Sequence, residues 1–248
     1  MSGCRRSLIV PGLLAAAFVA SVGLNYVLYK QARQYYTEMN TVRLDPLGLR
    51  AFEGASPPTT DEPLVVFYGD SRAADWPPPD AGAYAFVNRG VDAQTTAQVL
   101  GRFAHDVVPL QPAVVVIQVG INDLKAIPLL PGEKQAIIDH CEENIGRLVE
   151  EARDLGATVV LTTIFPAGKV PLERRLFWSD DVGAAVEEVN DYIRSLAADD
   201  VVLLDAYSLL ADEKGVIKPE YGQDLLHVTP AGYERLNAEL APIITGLY

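Results

Sequence analysis

The chain has 248 residues, 49% hydrophobic and 21% charged, a globular composition that excludes general disorder and low complexity. Asp and Glu number 33 against 20 Lys and Arg, and the net charge of −13 disfavours nucleic acid and anionic head groups as partners. Cys4 and Cys141 cannot make a disulfide framework, no zinc-type Cys/His spacing occurs, and imidazole chemistry must use His105, His140 or His227.

No residue between Arg6 and Lys30 is charged, and the apolar stretch Leu8 to Tyr29 has 22 residues. At about 1.5 Å per residue it reaches across a hydrocarbon core of roughly 30 Å. A cleavable signal peptide has an apolar region of about 7–15 residues and a small-residue cleavage site. This stretch is longer and lacks a clean site. Residues 1–33 therefore read as a single-pass anchor, the chain being secreted instead if the segment is cleaved. Arg5 and Arg6 nearly balance Lys30 and Arg33, and the α-amino group tips the count toward an N-terminus inside and a periplasmic domain. Residues 34–63, ending in a Pro/Gly/Ser/Thr-rich run, read as a tether.

From Leu64, in a domain of residues 64–248, apolar β-rich runs alternate with helical patterns. Leu64–Tyr68, Ala85–Asn88, Ala113–Val119, Thr158–Ile164 and Val201–Asp205 are the predicted strands, the third a continuous apolar run suited to burial on both faces. Between them, Thr95–Val108 spaces Val99, Phe103 and Val107 every four residues. Gly132–Leu155 carries Ile137, Ile138, Cys141, Ile145, Leu148 and Val149 on one stripe, with Gly156 as its stop. Asp181–Leu196 is a further helix, and Thr229-Pro230 opens the last as N-cap and first-turn proline. The alternation predicts an α/β fold, a five-stranded parallel sheet with helices on both faces. Ligands of such sheets sit beyond the carboxyl ends of the strands. There the chain places Gly69-Asp70-Ser71, Gly90 and Gly120-Ile121-Asn122-Asp123.

Ser71 stands at a strand-to-helix turn, two residues after a glycine, as an exposed nucleophile or as an ordinary helix cap. A nucleophilic serine needs a base and an orienting acid. In Asp224-Leu225-Leu226-His227 the acid and the imidazole are three apart, so a turn can bring them face to face. The same residues also suit a turn former and a surface histidine. His105 and His140 sit beside acids on helices and read as solvated, which leaves His227 as the best base. An oxyanion could be met by the Ser71 N–H, by the N–H of Gly90, whose lack of a side chain permits close approach, and by the Asn122 amide. Asn122 also suits a plain strand-end turn, and Asp123 reads as structural, bonding nearby backbone.

These blocks resemble the SGNH hydrolases, the GDSL-type esterases and lipases. The serine block is Gly69-Asp70-Ser71, the glycine block Asn88-Arg89-Gly90 and the asparagine block Gly120-Ile121-Asn122-Asp123. The histidine block runs from Asp224 to His227 and on through Val228-Thr229-Pro230-Ala231-Gly232-Tyr233. The resemblance covers Leu64 to the C-terminus and implies a flavodoxin-like α/β/α sandwich. It implies Ser71 as nucleophile, His227 as base, Asp224 as its orienting acid, and Ser71, Gly90 and Asn122 as the oxyanion hole. It implies no metal and no cofactor. The chain departs from it at Arg72, where the family name carries a leucine. That cation could face the substrate mouth or pair with an acid such as Asp75.

The long segment Phe165–Ser179, with Arg174, Arg175, Phe177 and Trp178, reads as a lid or acyl-binding wall, or equally as an aromatic plug. Trp76 with Pro77, Pro78 and Pro79 reads as a second rim. Arg72, Trp76, Phe177 and Trp178 are thus the candidate substrate contacts. The expected function is a serine esterase acting on small-molecule, lipid or saccharide acyl or acetyl esters through a covalent acyl-enzyme, attached to a membrane by its N-terminal helix. One alternative is a membrane-tethered O-acyltransferase on envelope polysaccharide. Another is a non-catalytic flavodoxin-like module for a nucleotide or flavin, against which stand the missing glycine-rich cradle and Asp70, which would repel phosphate. An inactive descendant is disfavoured because every catalytic position is filled. Nothing in the sequence speaks to oligomeric state.

Overall fold

All five apolar runs become strands, and all pair in parallel. In the computed structural model, which describes residues 3–56 and 58–247 (residues 3–8 by backbone alone), the strands are β1 Leu64–Gly69, β2 Ala85–Gly90, β3 Val114–Gln118, β4 Thr158–Thr162 and β5 Val201–Leu204. Their order across the sheet is β2-β1-β3-β4-β5. Val65 pairs with Phe86 on one side and with Val114 on the other, so β1 is an interior strand and the order reverses beside it. That reversal makes the carboxyl end of β1 the place where a crevice forms between outgoing connections.

Successive strand residues face opposite layers, as the period of two requires. Val66, Tyr68, Val115, Ile117, Val159 and Leu161 pack under α3 Thr96–Asp106, α5 Lys134–Asp154 and α6 Asp180–Ser195. Val65, Phe67, Val114, Val116 and Val160 pack under α7 Ala206–Leu210 and α8 Pro230–Thr245. The result is a three-layer α/β/α sandwich. The predicted stripe of α5 is buried at Ile138, Cys141, Ile145, Leu148 and Val149. Ile137 lies at its half-buried margin. The helix stops before Gly156, whose φ of +79° suits glycine. Thr229 caps α8, its hydroxyl accepting from the Gly232 N–H at 3.2 Å. Cys141 is fully buried and burial pushes its thiol up, which suits an inert packing role.

Three short helices go unmarked in the apolar periodicity, α2 Ser71–Ala74, α4 Ile121–Leu124 and α7 Ala206–Leu210. Each is about one turn long, too brief for a repeat to register, and the first two begin at the ends of β1 and β3.

The N-terminal part differs from expectation in extent. A single helix, α1, runs Gly3–Leu44 across both the expected anchor and the first part of the expected tether. It is the one helix among the described residues long and apolar enough to cross a membrane. The side chains of Cys4, Arg5 and Arg6 lie outside the described residues. The second compact unit starts at Leu47 rather than at Leu64. Residues 47–56 are drawn into it by contacts with residues far along the chain, which local composition does not reveal. The Leu47 carbonyl accepts from Gln94 Nε2 at 2.8 Å, and the Arg89 guanidinium lies 4.6 Å from the Phe52 ring centroid.

Candidate active site

The serine block is built on β1 and its exit. The φ of Gly69 is +155°, and a β-carbon there would stand 1.8 Å from the Gln118 carbonyl oxygen, so only glycine lets the chain leave β1 this close to β3. Asp70 then caps α2, its Oδ1 accepting from the Arg72 N–H at 2.9 Å. Ser71 is the first helical residue and half-buried. Its N–H is one of the first-turn donors for which a helix supplies no acceptor.

The acid and base share one short loop. His227 Nδ1 and Asp224 Oδ2 are 2.8 Å apart. Asp224 Oδ1 accepts the main-chain N–H groups of Leu226 and His227, each at 2.8 Å. Partial burial works against the Asp224 charge. It is outweighed by the hydrogen bonds from the His227 ring and from these two N–H groups, which hold the carboxyl down to about 2. An ionised carboxylate only accepts, so Nδ1 supplies the hydrogen of this bond, and in the neutral tautomer that this selects Nε2 is the acceptor.

Ser71 and His227 are 156 positions apart, and their neighbours are bonded directly. Arg72 Nε donates to the Leu226 carbonyl at 2.7 Å, and Arg72 Nη1 to the Phe165 carbonyl at 3.0 Å. Arg72 is fully buried, with its guanidinium 5.3 Å from the Phe165 ring centroid. This corrects the expectation for Arg72: it neither faces a substrate mouth nor pairs with Asp75. Burial lowers its pKa to about 10, against the opposing pull of Asp70.

Of the expected oxyanion donors, Asn122 is buried and gives one amide hydrogen to the Gln94 carbonyl at 3.0 Å, which leaves its second hydrogen for a ligand. The Gly90 N–H is engaged otherwise. It donates to Asn88 Oδ1 at 2.8 Å, and the same amide donates to the Ala73 carbonyl at 2.7 Å. What Gly90 supplies in this arrangement is space, since a β-carbon there would stand 2.2 Å from the Ala74 nitrogen. Asp123 is structural as expected, but across the sheet edge rather than locally. It accepts from the Thr96 N–H at 2.9 Å and from the Thr96 hydroxyl at 2.7 Å, fastening the start of α3.

Trp76 is also corrected. It is 2% exposed, packed in tilted and edge-on contacts among Phe67, Phe165 and Tyr233, and its Nε1 donates to Asn237 Oδ1 at 2.7 Å, so it is core rather than rim. The loop after β4 divides the two expected roles. Trp178 packs on the core, whereas Leu172, Leu176 and Phe177 stay exposed on a short 3-10 turn. His140 is exposed, and His105, half-exposed, meets only Asp106, at 2.7 Å.

One residue that the sequence reading passed over belongs to the frame of this site. Arg102 is fully buried and donates to the Gly69 carbonyl at 2.8 Å, to the Arg89 carbonyl at 2.8 Å and to Asp106 at 2.8 Å. It therefore ties the carboxyl ends of β1 and β2 together from α3. Its position in the helical pattern, between Gly101 and Phe103, was the available signal.

Comparison with known proteins agrees with this fold. The model of the GDSL-like Lipase/Acylhydrolase family matches residues 53–235. An acetylxylan esterase from Geobacillus stearothermophilus is 30% identical over 118 residues, 46% of this chain and 52% of that protein. The match thus spans about half the length of that curated relative. The crystal structure of a GDSL-like lipase from Bacteroides thetaiotaomicron superposes with a TM-score of 0.65 at 26% identity, covering 82% of this chain and 99% of that one. A solved acetyl xylan esterase, 19% identical, shares the fold with a TM-score of 0.57 over 73% of this chain and 99% of its own.

Proposed function

Because the chain belongs to the GDSL-like Lipase/Acylhydrolase family, we propose that it hydrolyses carboxylic esters through a covalent acyl-enzyme, with Ser71 as nucleophile, His227 as base and Asp224 as the acid that orients it. The observation that carries this reading is the Asp224–His227 pair at 2.8 Å on a loop bonded to the residue after Ser71.

The Ser71 hydroxyl attacks the ester carbonyl carbon and its proton passes to Nε2 of His227. The ionised Asp224 stabilises the resulting imidazolium. The oxyanion is met by the Ser71 N–H and the Asn122 Nδ2, and the Gly90 N–H can join them only by leaving Asn88. The alcohol departs with the proton from His227. Water, deprotonated by the same imidazole, then releases the acid. The acetylxylan esterase relative supports a short acyl group on a saccharide as the substrate class. The domain is held by α1 as a membrane anchor, on the extracytoplasmic side. A phosphatase fused after Tyr248 that is active outside the cytoplasm checks that placement, and one active only inside overturns it.

Labelling with a fluorophosphonate tests the chemistry. Wild type should be labelled at a single serine and Ser71→Ala should not, with hydrolysis of p-nitrophenyl acetate by the variant down at least 10³-fold. Full activity in Ser71→Ala would end the proposal.

A further inference from the structure

We propose that Arg72 is a positioning residue for the reaction, fixing through its guanidinium the peptide group from which His227 projects toward Ser71. The inference rests on the triad reading above.

The peptide unit joining Leu226 to His227 is held at both ends. Its carbonyl accepts from Arg72 Nε at 2.7 Å, and its N–H donates to Asp224 Oδ1 at 2.8 Å. With both ends held, that peptide unit is fixed, and with it the main chain from which the imidazole extends; the ring itself is held by Asp224 Oδ2 at 2.8 Å. Arg72 is itself held at four points, while its buried Nη2 has no partner among the described residues. Its N–H is bonded to Asp70 Oδ1 at 2.9 Å, and its carbonyl accepts from the Tyr233 hydroxyl at 2.9 Å. Its Nη1 reaches the Phe165 carbonyl at 3.0 Å, and its guanidinium lies against the Phe165 ring. One residue therefore connects the β1 exit, the segment after β4, the histidine loop and α8.

Packing alone does not account for an arginine here. An aliphatic side chain would fill the space against Phe165 without bringing a charge out of water. It would leave the Leu226 and Phe165 carbonyls without these donors. Planar, rigid N–H groups pointing at two carbonyls from different loops are what a guanidinium provides and a lysine does not. The loop is also fastened by the Gly168 N–H, which donates to the Leu225 carbonyl at 2.7 Å, but the bond from Arg72 to Leu226 ties it directly to the residue after Ser71. A displacement on the order of 1 Å between reacting groups lowers rate by about 10²-fold.

The test compares wild type with Arg72→Leu and Arg72→Gln, in full-length protein verified as folded by near-ultraviolet circular dichroism. The Leu variant fills the space and the Gln variant keeps one donor. Whichever folds is read for kcat and KM on p-nitrophenyl acetate and for the rate of fluorophosphonate labelling. Expected is a fall in kcat of at least tenfold with KM within twofold, and a parallel fall in labelling rate. A folded variant with kcat and labelling within twofold of wild type overturns the role of Arg72, whatever its loss of melting temperature. A wild type that the fluorophosphonate does not label overturns the triad reading instead, and the role of Arg72 with it.

Discussion

Trp76 donates from Nε1 to Asn237 Oδ1 at 2.7 Å, tying the segment just after α2 to α8 across 161 positions of chain. Truncating Trp76 to Ala is expected to destabilise the fold by about 3–5 kcal/mol. KM for a short ester should stay within twofold in the molecules that remain folded. Phe177→Ala, at a side chain 55% exposed, should change stability by less than about 0.5 kcal/mol. Urea titration with steady-state kinetics checks both, and a large KM change in the Trp76 variant would return that residue to the substrate wall.

Asp224→Asn should lower kcat by roughly 10⁴-fold while leaving the protein folded, because the amide can present an N–H to Nδ1 and impose the wrong tautomer. The measurement is kcat on p-nitrophenyl acetate beside a denaturation midpoint. A variant with near-wild-type kcat would remove Asp224 from its orienting role.

Asp70 gives the fold a pH dependence of defined sign. Complete burial pushes its carboxyl up to about 6, against the pull of the Arg72 charge and the Arg72 N–H. Between pH 4 and 6 the folded protein holds a proton that the unfolded chain has released. Stability is therefore greatest below pH 4 for this group and is lost as pH rises through 6, by on the order of 3 kcal/mol. In Asp70→Asn that dependence should vanish, so the stability difference between wild type and variant should change across this window. Parallel stability curves for the two proteins from pH 4 to 7 would contradict the shift.

Gly90→Ala should destabilise by about 3 kcal/mol or more, since the added carbon would meet the Ala74 nitrogen at 2.2 Å, and backbone cannot step aside as a side-chain end can. A melting temperature equal to wild type would show that α2 can withdraw from β2.

Arg102→Met should cost about 3 kcal/mol, because Asp106, 2.8 Å from Arg102 with its side chain 2% exposed, would lose its guanidinium partner and keep only the His105 ring at 2.7 Å. The double variant Arg102→Met with Asp106→Leu should recover much of that loss in a urea titration. No recovery would locate the effect in the Gly69 and Arg89 carbonyls instead.

The strands were legible because each is an apolar run between turn residues, and the functional blocks because they fall at the ends of those strands. Asp224 and His227 were legible because they are three positions apart, a relation that local sequence carries. Arg72 was not. Its acceptors, Leu226 and Phe165, lie 154 and 93 positions away, and a cation beside a serine says nothing of which way it turns. Trp76 failed for the same reason, its flanking prolines pointing to a rigid edge while Asn237 and Tyr233 draw the ring inward. Leu47 and Phe52 precede a Pro-rich run that looks like the domain border, and only their contacts with Gln94 and Arg89 place them inside it.

Because Asp224 holds the main chain of His227 as well as its ring, the two travel together. Were the ties from Arg72 to Leu226 and from Gly168 to Leu225 lost, the dyad would shift as an intact unit, its internal hydrogen bond preserved. Such a variant would keep a well-formed acid–imidazole couple and lose its aim.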